Sequence, residues 1–111
     1  TLAVDRGNAN ISYLYNHFNP AVLRLVQRTI TSARENGIWA GMCGEMASDP
    51  NAAVLLMAMG INELSMSAPS IPRVKEKIRS ISSVKAKEIL ADVMTMEDGD
   101  DIRNYLQKIL G

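Results

Sequence analysis

The sequence predicts an α/β domain built on parallel strands. Three observations carry that expectation. Helix-start and helix-stop residues bracket two long segments, a short apolar run follows each of them, and a third helix signal follows the second run. The resulting order of helix, strand, helix, strand, helix is that of a βαβ crossover. At 111 residues the chain has the size of one small domain, and its 47% apolar content suits a packed core.

The opening stretch "TLAVDRGN" lacks an initiator Met and reads as the middle of a longer chain. Within it Arg6 lies in a turn-like segment beside Asp5, fitted either to a local ion pair or to gripping an anion. His17 has no Cys or His partner at metal-ligand spacing and reads as a surface or capping residue. The first helix is announced by "FNPAVLRLVQRTITSARENG", with Asn19 as cap, Pro20 at the first helical position and Gly37 as terminator. Val22, Leu23, Val26, Ile30 and Ala33 recur at helical spacing, and Arg24, Gln27, Arg28, Arg34 and Glu35 supply the polar side.

"IWAGMC" is apolar on both alternating sets and too brief for a helix, so a strand buried on both faces is expected there. "SDPNAAVLLMAMG" repeats the helix grammar with Asp49 as cap, Pro50 at the first position and Gly60 as terminator. A second strand is expected in "INELSMS", with Leu64 and Met66 on one face and Ser65 on the other. "SIPRVKEKIRS" resumes the helix, with Ser70 and Pro72 at its start. Two amphipathic tail helices are expected after it. One carries Ile89, Val93 and Met96, the other Ile102, Leu106 and Ile109 or Leu110, packed together or onto the sheet. Two strands alone make a poor sheet, because each leaves one edge unpaired. That is a second sign of a piece of something larger.

Composition narrows the partners. Twelve basic and twelve acidic residues cancel, which argues against nucleic acid or an anionic membrane as the main partner. A single cysteine cannot close an intramolecular disulfide, so a reducing, cytoplasmic setting is the simplest reading. The longest apolar runs fall far short of the roughly 20 residues that span a bilayer, and no membrane insertion is expected. No P-loop, G-x-G-x-x-G, H-E-x-x-H or C-x-x-C motif occurs.

The lone thiol, Cys43, stands in "GMCGE" between Gly41 and Gly44, where absent side chains leave room for a substrate or a backbone to come close. It ends a predicted parallel strand, the place where α/β sheets put their ligands. Free cysteines are also among the most buried and inert side chains, so the pattern alone favours a structural role. Glu45 fits either tuning of the thiol or capping of the next helix. A thiol-redox enzyme is a poor fit, because no resolving cysteine accompanies Cys43. A helical interaction module, presenting "NPAVLRLVQRTI" to a partner, is the rival from another class.

At "DRGN", "GMCGEMASD", "ELSMS" and "SIPRVK", in that order, the sequence resembles the C-terminal part of the enzyme I family of the bacterial sugar phosphotransferase system. The likeness runs along nearly the whole chain and weakens after about Ser82. The wider group of phosphoenolpyruvate (PEP)-utilising enzymes carries a related G-x-C-G motif. Its other members, including a nitrogen-type enzyme I, PEP synthase and pyruvate phosphate dikinase, are the alternative assignment. The resemblance implies a (β/α)8 TIM barrel that binds PEP and Mg2+. The phosphoryl group passes to a histidine on a separate domain and then to the carrier protein HPr, releasing pyruvate. By position, Cys43 matches the family's proton donor to the enolate, and Arg6 matches an arginine that contacts PEP.

The resemblance also implies that the metal ligands, the other phosphate-gripping arginines and the phosphorylated histidine all lie upstream of Thr1. A whole barrel needs about 250 residues. Residues 1–111 are therefore expected to be the last two strand–helix units of the barrel plus extra C-terminal helices, inactive alone. The chain is expected to form a homodimer.

Overall fold

The computed structural model describes residues 8–11, 18–43 and 45–111, with the backbone only at 8–11, 43 and 45. In chain order the elements are β1 (Asn8–Ile11), α1 (Pro20–Glu35), β2 (Trp39–Cys43), α2 (Glu45–Ser48), α3 (Pro50–Met59) and β3 (Glu63–Ser65). A 3₁₀ turn over Ala68–Ser70 leads into α4 (Ile71–Arg79), α5 (Ser83–Val93) and α6 (Gly99–Leu110).

Both proline-led helices begin as their sequences require. Asn19 Oδ1 accepts a hydrogen bond from the Ala21 amide at 2.8 Å, and Asp49 Oδ1 accepts from Asn51 and Ala52 at 2.9 and 3.2 Å. Gly37 and Gly60 end them with φ of 68° and 98°, the left-handed region where a glycine carries no Cβ penalty. On α1 the buried stripe is Leu23, Val26, Ile30 and Ala33, the expected core face. Ser70 precedes α4 without capping it through its side chain. Its hydroxyl instead sits 3.2 Å from that of Ser67.

The sheet is parallel, with strand order β1-β2-β3. Adjacency of β2 and β3 through α3 is as expected. The third strand is not. Asn8–Ile11 pairs with β2 in the register Asn8↔Trp39 to Ile11↔Met42, so β2 is central and paired on both sides. Two asparagines in four residues carry little strand preference of their own. What places this segment in the sheet is the otherwise free edge of β2.

A second expectation also fails. Ala40 and Met42 are each 2% exposed, but Trp39 is 48% exposed. Of the two faces of β2, only the Ala40–Met42 face is covered by described residues. That face joins one cluster with Leu23 and Ile30 of α1 and Leu55 and Leu56 of α3.

Helix α3 is the centre of the molecule. Ala52, Ala53, Val54, Leu55 and Leu56 are all fully buried, so the helix is dry around its whole girth rather than along one stripe. Burial of each leucine contributes about 1.5–3 kcal/mol. Its far side is covered by α4, α5 and α6. The tail helices thus pack chiefly on α3, not on the sheet. Ile89, Val93, Ile102 and Leu106 supply the apolar faces that make this layer. Polar ties hold the layer together. Tyr105 donates its hydroxyl proton to Asp92 Oδ2 at 2.6 Å, joining α6 to α5. Lys77 of α4 donates to the Leu110 carbonyl. Arg103 places its guanidinium 5.0 Å from the Phe18 ring centre, next to the start of α1.

Candidate functional site

Parallel strands send their C-terminal ends to one side of a sheet, and loops there carry the ligand-binding groups of α/β proteins. Here those ends are Ile11, Cys43 and Ser65. The register pairs Cys43 with Ser65, and Ile11 with Met42. The backbone of Cys43 is thus the last residue of the central strand, and α2 begins two residues later at Glu45. Gly44 between them lies outside the described residues, as do Arg6 and His17. The structure therefore places the cysteine of the "GMCG" motif at the strand end the sequence suggested.

Two residues that sequence reasoning passed over shape this end of the sheet. Asn62 stands just ahead of β3. Its Oδ1 accepts from the Ala40 amide at 2.8 Å, and its own amide donates to the Ala40 carbonyl at 3.0 Å. Side chain and backbone of one asparagine thus close a ring on β2 and fix where β3 starts. That start sets Ser65 opposite Cys43. The signal available beforehand was an asparagine two residues after a left-handed glycine, a position where side-chain to backbone bonding is common.

Glu63 is the other. It pairs with Gly41, and its Oε1 is 3.6 Å from the point a Cβ on Gly41 would occupy. The carboxylate therefore lies over the glycine on the same face as the exposed Trp39.

Among the described residues, no three His, Cys, Asp or Glu side chains lie close enough to share a metal ion. A groove of about 710 Å³ between α3, α4 and α6 is lined by Arg73, Lys77 and Arg103. Ser65 is not part of it. No helix among the described residues is long and apolar enough to cross a membrane.

Residues 1–83 match the family described as PEP-utilising enzyme, PEP-binding domain. A phosphoenolpyruvate-protein phosphotransferase of Buchnera aphidicola (subsp. Acyrthosiphon pisum) is 46% identical over 110 residues, covering 99% of this chain and 19% of the relative. One from Haemophilus influenzae is 52% identical over 92 residues, 83% of this chain and 16% of the relative. One from Lactococcus lactis subsp. lactis is 45% identical over 102 residues, 88% and 18%. The chain spans about a fifth of the length of these curated relatives. Such matches do not favour the helical interaction module.

Proposed function

The chain belongs to the PEP-utilising enzyme family, in its PEP-binding domain, and on that premise we propose that it is part of a phosphoenolpyruvate–protein phosphotransferase. In this reading residues 1–111 are a C-terminal portion of a TIM barrel. The whole protein moves the phosphoryl group of PEP to one of its own histidines and then to HPr, in the cytoplasm and as a homodimer. The observation that carries the reading is the similarity to phosphotransferases over almost the whole chain, with the "GMCG" cysteine at the end of the central strand. Three features of the fold are those a barrel segment requires: parallel strands in sequential order, helices against one face, and the opposite face uncovered.

The chemistry gives Cys43 a definite task. When the phosphoryl group leaves the enol oxygen of PEP for a histidine nitrogen, an enolate of pyruvate remains. The thiol hydrogen of Cys43 goes to the methylene carbon, the carbon becomes a methyl group, and the thiolate regains a proton from water. A thiol with an ordinary pKa near ~8.5 is mostly protonated at neutral pH and can serve as that acid. Arg6 takes the substrate's carboxylate or phosphate through the paired N–H groups of its guanidinium. The described residues form no metal cluster. In this reading the Mg2+ that such chemistry uses is held by residues outside 1–111.

The test is PEP-dependent phosphorylation of HPr by the whole protein, with pyruvate release followed separately. Cys43→Ala is expected to cut pyruvate formation by orders of magnitude, with phosphoryl exchange between protein and substrate less affected. Normal pyruvate release by the Ala variant would end the proton-donor assignment. Absence of any PEP-dependent phosphorylation in the unaltered protein would end the functional reading.

A further inference from the structure

Glu63 is a carboxylate in an unusual place. It stands on the uncovered face of the sheet, over Gly41 and on the same side as Trp39, which is 48% exposed. Among the described residues it has no ion-pair or hydrogen-bond partner. It also begins β3, the last strand in the sheet order, whose outer edge is unpaired among the described residues.

We infer that the surface made by the β3 edge, Trp39 and Glu63 docks a parallel strand bearing a basic side chain, Arg or Lys, which reaches over β3 to the Glu63 carboxylate. The inference rests on the barrel reading above and adds what that reading leaves open, the chemistry of the covering strand. Two observations select this occupant. About four-fifths of the length of the curated relatives lies outside the matched chain, which is ample for further strands. Charge decides the rest. No cation among the described residues pairs with the carboxylate, and a carboxylate shut away from water without one is strongly disfavoured. An apolar strand would cover Trp39 but leave the Glu63 carboxylate without a counter-charge. A guanidinium or ammonium meets both needs. Gly41 contributes by lacking a side chain, which leaves the carboxylate unobstructed above the sheet.

The experiment uses the whole protein and reads thermal unfolding of the wild type and of Glu63→Gln at neutral pH. It is joined to acrylamide quenching of a fluorinated or sole tryptophan at position 39. Glu63→Gln is expected to lower Tm by several degrees at neutral pH. Glu63→Asp keeps the charge and should retain part of the stability, so the readout does not depend on one variant. A Gln variant as stable as the wild type at neutral pH, with Trp39 shielded, would overturn the basic partner and leave the barrel standing. If Trp39 stayed fully quenchable in the whole protein, the covering strand and the barrel reading would fall together.

Discussion

Asn62 does with its side chain what a strand residue does with its backbone. By accepting from the Ala40 amide and donating to the Ala40 carbonyl, it adds a rung to the ladder before β3 begins. Two residues earlier, Gly60 makes the turn possible. Its φ of 98° is open to glycine, and a Cβ there would meet Arg34 Nη1 at 2.5 Å. Arg34 is exposed and its tip can move aside, so backbone strain is the larger effect. We expect Gly60→Ala to destabilise the protein by about 1–2 kcal/mol. Gly60→Asn should lose less, since asparagine tolerates the left-handed region. Denaturant midpoints for the two variants test the order, and an Ala variant at least as stable as wild type would refute it.

At the scale of elements, the tie between α5 and α6 has a pH signature. The Tyr105 hydroxyl is raised to about 12, first by its removal from water, then by its hydrogen bond to Asp92 and by that carboxylate's charge. A raised folded pKa means the neutral phenol is favoured in the folded state. Its contribution is therefore complete below the unfolded value near 10 and lost as pH climbs towards 12. Tyr105→Phe should cost about 1 kcal/mol at neutral pH. The difference from wild type should shrink above pH ~10, and a pH-independent difference would refute the hydrogen bond as its source. Elements also show what was legible beforehand. Asn19–Pro20 and Asp49–Pro50 announce their helices because capping is local chemistry, and the caps form as read. Strand β1 was invisible because "NANI" is only four residues long with two asparagines of low strand preference, and its pairing is decided by a partner 31 residues away, Asn8 with Trp39. Trp39 was read as buried because its run is apolar on both sides, but burial also needs a covering layer, and none of the described residues supplies one. The place of Cys43 at a strand end followed from the apolar run and its glycines. The role proposed for it came from the motif alone, and Asn62 and Glu63 came only from the contacts between strands.

At the scale of the molecule, compaction and closure part company. The Cα radius of gyration of 13.0 Å is that of a compact domain of about 100 residues. Yet the outer edges of β1 and β3 are unpaired among the described residues, and Trp39 and Ile38 lie open at 48% and 39%. We expect the 111-residue chain by itself to self-associate through these edges. Sedimentation over a dilution series tests this, and a monomer at every concentration would count against open edges. The girth of α3 carries a different lesson. The stretch shared with the family ends at Ser83, the first residue of α5. Beyond that point begin two of the helices that keep α3 dry. The stretch matched to the family and the unit that folds therefore have different borders. A piece cut at Ser83 would strip the central rod of part of its coat and let water reach it.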